Sequence, residues 1–128
     1  MKKKPTEAEL EILSVLWSKG PSTVRTIHEL LAKHRDVFYT TTLKTMQLMT
    51  DKGLLTRNTK QRSHVYQANI KQKQVAKSIL DKLVNTVFSG STSQLIVSAL
   101  GQGTPSKEEL KEIKLLIEKL HRDDSDTK

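Results

Sequence analysis

The 128-residue sequence contains no cysteine. That excludes disulfides, thiolate metal sites and thiol chemistry, and it agrees with a reducing compartment. Aromatic residues are scarce at 4%, and hydrophobic residues reach only 35%. Small cores built from so thin an apolar supply are marginal, and association of subunits is a common remedy. No long apolar run follows the basic start Met1-Lys2-Lys3-Lys4-Pro5. Neither a signal peptide nor a membrane span is expected, and the expected location is cytoplasmic. A Gly-rich phosphate loop, a nucleophile elbow and a paired buried acid are also missing. His28, His34, His64 and His121 are scattered, without metal-ligand spacing. The expectation is a non-enzyme with no catalytic residues, no metal and no cofactor.

What the chain does have is basic charge, unevenly spread. The formal net charge is +8. Residues 1–70 hold 12 Lys/Arg and 6 Asp/Glu, a net of +6; residues 71–128 hold 10 and 8, a net of +2. A basic front half suggests a polyanionic partner there.

Hydrophobic spacing predicts the elements. Thr6-Glu7-Ala8-Glu9 reads as a capping box, and Leu10, Leu13 and Trp17 recur at helical spacing until Lys19-Gly20-Pro21. Glu7, Glu9 and Glu11 read as N-terminal charge and solvated surface. Ser22 or Thr23 caps a second helix with Val24, Ile27, Leu30 and Leu31 on its apolar face, fading at Ala32–Arg35. A third helix begins near Tyr39-Thr40 and stops at Lys52-Gly53, where glycine suits the left-handed position. Its periodicity puts Tyr39, Thr42, Leu43, Met46 and Met49 on one side and Thr40, Lys44, Gln47 and Asp51 on the other, with Thr41 and Leu48 on a flank. Leu54–Asn58 and His64–Ala68 read as a hairpin with a long basic tip. Three helices and a hairpin in about 70 residues make a winged helix-turn-helix.

Beyond residue 70 the texture is helical. Ala76, Ile79, Leu80, Leu83 and Val87 mark a fourth helix, broken at Phe88-Ser89-Gly90-Ser91. Leu95, Ile96, Val97, Ala99 and Leu100 mark a fifth, and Gly101-Gln102-Gly103-Thr104-Pro105 reads as a loop. Ser106-Lys107-Glu108-Glu109 is a second capping box, opening a helix with Leu110, Ile113, Ile117 and Leu120 at heptad-like spacing. His121–Lys128 reads as a polar, frayed end. The expected fold class is mainly α with a small β-hairpin. Residues 1–70 form the winged helix and residues 71–128 a helical dimerisation region with a polar tail.

A helix fits the major groove, and side chains near its start reach base edges. Thr40, Thr41, Lys44 and Gln47 are therefore candidate contacts to double-stranded DNA. Arg57, Lys60 and Arg62 of the hairpin are candidates for its phosphates or minor groove. Leu80, Leu83, Val87, Leu95, Ile96, Leu110, Ile113, Ile117 and Leu120 exceed what thin helices bury alone, and a homodimer would cover them. The rival reading is a winged helix used as a protein-interaction module without an operator. The polar, basic character of the third helix weighs against it, since protein interfaces favour aromatic anchors.

The segments Thr6-Glu7-Ala8-Glu9-Leu10-Glu11-Ile12-Leu13-Ser14-Val15-Leu16-Trp17, Tyr39-Thr40-Thr41-Thr42-Leu43, Asp51-Lys52-Gly53-Leu54-Leu55 and Tyr66-Gln67-Ala68 resemble the penicillinase-repressor family of winged-helix transcriptional repressors. The resemblance implies a homodimer that blocks transcription at a palindromic operator. It implies DNA reading by the third helix at Thr40, Thr41 and Lys44, with support from the wing at Lys60 and Arg62. It also implies intertwined C-terminal helices. In the antibiotic-responsive members it implies a membrane sensor-protease as partner, with inactivation at an Asn-Phe bond; Ser98-Ala99 stands at that place here. The copper-responsive branch uses cysteines near its C-terminus, and this chain has none.

Overall fold

The computed structural model describes residues 4–126, with side chains described through residue 123. The basic start at Met1–Lys3 and the last two residues of the polar tail lie outside the described residues. Internal contacts divide the chain into two compact units, the first ending at Leu80 and the second beginning at Asp81.

In the first unit, α1 (Glu7–Lys19) opens on the expected capping box: Thr6 Oγ1 accepts from Glu9 N–H, and Glu9 Oε1 accepts from Thr6 N–H at 2.8 Å. It stops at Gly20, whose φ of 88° most side chains avoid. Thr23 caps α2 (Val24–Ala32) by accepting from Thr26 N–H. Ser22–Thr23 is also a short strand, β1, which the sequence reading treated only as a cap. Next come α3 (Tyr39–Asp51), β2 (Leu55–Asn58) and β3 (Val65–Ala68). Gly53 takes the predicted left-handed position, with φ 85°. The hairpin is thus part of a three-stranded antiparallel sheet in the order β1-β3-β2. Ser22 pairs with Tyr66 on one edge of β3, and Arg57 pairs with Tyr66 on the other.

The core of this unit is one cluster. Ile12, Leu13 and Leu16 of α1 meet Ile27 and Leu31 of α2, Met46 and Met49 of α3, and Leu54, Leu55 and Tyr66 of the hairpin. Trp17 joins its margin and donates from Nε1 to the Ile70 carbonyl at 2.9 Å. α4 (Gln72–Thr86) begins in this unit, where Val75 is buried.

In the second unit the break after α4 uses Ser89 and Gly90, both at positive φ. Ser91 caps α5 (Thr92–Gln102) by accepting from Gln94 N–H. Ser106 and Glu109 form the second capping box, opening α6 (Lys107–Asp126). Two sequence readings are corrected here. Gly101 and Gln102 complete the last turn of α5 rather than opening a loop, and Gly103 N–H donates to the Ala99 carbonyl. The stretch from His121 to Asp126 continues α6 rather than fraying. Glu118 and Arg122, four residues apart, suit that continuation.

Candidate nucleic-acid interface

α3 is held by one side only. Thr42, Met46 and Met49 are buried, while Thr40, Thr41, Lys44, Gln47 and Asp51 are exposed. The 3.6-residue period separates these two sets, so the polar side follows directly from burial of the other. Leu48, 48% exposed, adds one apolar group beside the polar ones.

Polar contacts orient α3 against α2. The buried Thr42 hydroxyl shares a 3.1 Å hydrogen bond with His28 Nδ1. The His28 ring also meets the Tyr39 ring edge-on, with centroids 5.4 Å apart and planes at 84°. Tyr39 therefore departs from the sequence reading, which put it on the core side. It is 42% exposed and held at the rim by His28. Phe38, at the N-cap of α3, offers no side-chain cap and is 81% exposed.

The wing is the β2–β3 hairpin. Strand pairing runs out to Asn58 and Val65, and the residues between them are exposed, Lys60 and Arg62 included. The Asn58 carboxamide accepts from Lys60 N–H at 3.0 Å and shapes the turn. Arg57 is exposed on β2. The wing base and the start of α3 flank one cavity of about 360 Å³, lined among others by Arg25, Tyr39, Leu43, Arg62, Ser63 and His64. Sequence reasoning passed over Arg25. The available signal was its place two residues after the cap of α2, where a cation stands at a helix start.

Glu9 is a second correction. It is 4% exposed rather than solvated, and its Oε2 accepts from Lys52 Nζ at 2.8 Å. Burial raises its pKa. The hydrogen bonds from Lys52 and Thr6, with the Lys52 charge, outweigh that and hold the carboxyl below its ordinary value of 4.5. This pair ties the start of α1 to the exit of α3. The Glu11–Arg35 pair at 3.2 Å is half-exposed and contributes little.

The candidate dimer residues are open in the single chain. Leu80, Val87, Ile96, Leu110, Ile117 and Leu120 are exposed, and Leu83, Leu95 and Ile113 are half-buried. Val97, Leu115 and Leu116, which the sequence reading did not include, are exposed to 70%, 57% and 56%. Helical spacing adds Leu116 to the Leu110–Ile113–Ile117–Leu120 stripe and sets Leu115 on the opposite side. Ser98-Ala99 lies inside α5. Among the described residues, no His/Cys/Asp/Glu cluster could hold a metal, and no helix is long and apolar enough to cross a membrane.

Residues 5–119 match the penicillinase repressor family. The chain is also 32% identical over 93 residues to the transcriptional regulator BlaI of two Mycobacterium tuberculosis strains, covering 71% of this chain and 67% of the relative. A winged helix with an open polar face on α3, matched almost end to end by one family, identifies the chain as a member of the penicillinase repressor family of DNA-binding transcriptional repressors.

Proposed function

We propose that the protein represses transcription as a homodimer bound to a palindromic operator in double-stranded DNA. The observation that carries this reading is the one-sided burial of α3, which leaves Thr40, Thr41, Lys44 and Gln47 open. These residues enter the major groove, where Gln47 pairs with adenine and Lys44 meets guanine or phosphate. Lys60 and Arg62 of the wing contact the flanking backbone, with Arg57 beside them.

Dimerisation follows from the second unit. Its exposed Ile96, Leu110, Ile117 and Leu120 lose contact with water when they meet the same residues of a second copy. The two-fold axis then sets two copies of α3 on two half-sites.

The test is selection of genomic fragments by the full chain, followed by anisotropy titrations of the enriched duplexes at several salt concentrations. One palindromic sequence is expected to be enriched, with affinity falling steeply as salt rises. Fragments without a shared sequence would overturn the operator and favour the protein-interaction module. Binding indifferent to salt would overturn the phosphate contacts.

A further inference from the structure

We propose that the cavity between α2, α3 and the wing is an oxyanion pocket that receives one backbone phosphate of the bound duplex, gripped by Arg25, Tyr39, Arg62 and His64. The proposal rests on the DNA-binding reading above and adds a defined phosphate subsite to it. Arg25 comes from the first turn of α2, Tyr39 from the first turn of α3, and Arg62 and His64 from the wing. No carboxylate lines the cavity. Among the described residues, neither Arg25 nor Arg62 is paired with an acid, and the Tyr39 hydroxyl has no hydrogen-bond partner.

Two guanidiniums without an acidic partner line the same opening. They also present the forked donors that suit a phosphate. Val24 and Tyr66, both buried, lie behind these polar groups and hold the elements that carry them. An open cavity of about 360 Å³ leaves room for a phosphate group. His28 fixes the Tyr39 ring at the rim, so the phenol is oriented before the ligand arrives. A phosphate held here would touch all three elements at once. It would set the spacing between wing and α3 without reading any base.

The same pocket chemistry suits a free phosphate ion, so the test has two arms. In the first, Arg25→Gln and Tyr39→Phe variants of the full chain are titrated with operator and unrelated duplexes. Arg25→Gln is expected to weaken both by the same factor, about fivefold near ~0.15 M salt, and to lower the salt slope by about one. Replacing the half-site phosphates one at a time by neutral methylphosphonates is expected to reveal one position that weakens the parent by that factor and leaves Arg25→Gln unchanged. Unchanged affinity in Arg25→Gln, or a loss confined to the operator sequence, would overturn the pocket while leaving the DNA reading intact. Failure of the parent to bind any duplex would overturn both. In the second arm, inorganic phosphate is titrated into the complex against chloride at constant ionic strength. Little displacement is expected, because a DNA phosphate is held by the rest of the interface. Release of DNA from the parent but not from Arg25→Gln would overturn the backbone-phosphate assignment in favour of a small-anion effector.

Discussion

The two units treat their apolar residues in opposite ways. Every buried hydrophobic side chain among the described residues, from Ile12 to Val75, belongs to the first unit. The second unit leaves Val87, Ile96, Val97, Leu110, Leu115, Leu116, Ile117 and Leu120 exposed. Both use the same local devices, capping boxes and positive-φ turns, so local structure is equally well specified in each. The difference lies one level higher. The first unit closes a core from three helices and a sheet, whereas among the described residues the stripes of the second unit stay half-buried or exposed. A fold can thus be complete in its helices and incomplete in its burial, which is the contrast that the proposed homodimer would resolve.

The largest test of this contrast is Ile117→Asp. A charge placed in a surface covered by a second copy is expected to weaken self-association on the order of a thousandfold, roughly 4 kcal/mol, by sedimentation equilibrium. Unchanged association would break the comparison, since the stripe would then be solvated in the working protein. Leu13→Ala comes next. Leu13 is fully buried in the first unit, and the truncation is expected to cost about 3 kcal/mol in denaturant unfolding. That loss is expected to be independent of protein concentration, whereas unfolding of the second unit is expected to shift with concentration if the proposed homodimer forms.

Glu9→Gln is a smaller change in the same unit. It removes the charge facing Lys52 and is expected to cost about 1–2 kcal/mol near neutral pH. The folded pKa of Glu9 lies below its ordinary value of 4.5, so its stabilisation is complete above that value. The stabilisation is lost as the pH falls through the lowered folded value. Parent and variant stabilities, followed by thermal melts, are therefore expected to converge in acid. A gap that persists or widens there would mean that Glu9 acts through packing alone. Smallest is Lys44→Ala, which is expected to leave stability and association unchanged and to weaken operator binding about fivefold in an anisotropy titration. A change in association would show that the face assigned to DNA also belongs to the subunit contact.

The sequence made visible what depends on neighbours three or four residues apart. The caps at Thr6 and Ser106, the glycine exit at Gly53 and the two sides of α3 are all local, and the structure has them at those positions. Readings failed where the deciding partner is distant or the element is too short to have a period. β1 is two residues long and exists because Tyr66 and Val65 pair with it. Glu9 looks like any first-turn acid until Lys52, 43 residues away, is brought against it. Tyr39 matched the core period but stands at the helix end, where the rim replaces the core. Arg25 gained interest only once folding set it on the same cavity as Arg62. The last turn of α5 was misread for a compositional reason, because Gly101 resembles loop more than helix.

β3 lies between β1 and β2, and Tyr66 is clamped by backbone pairing on both edges with its ring sealed inside. The hairpin tip emerges from this fixed strand, so its length and charge can change without disturbing the core. Insertions or swaps between residues 59 and 64 would be tolerated by the scaffold and felt mainly by the nucleic acid. Such changes would alter how tightly the tip meets a partner while the hydrophobic interior stays the same.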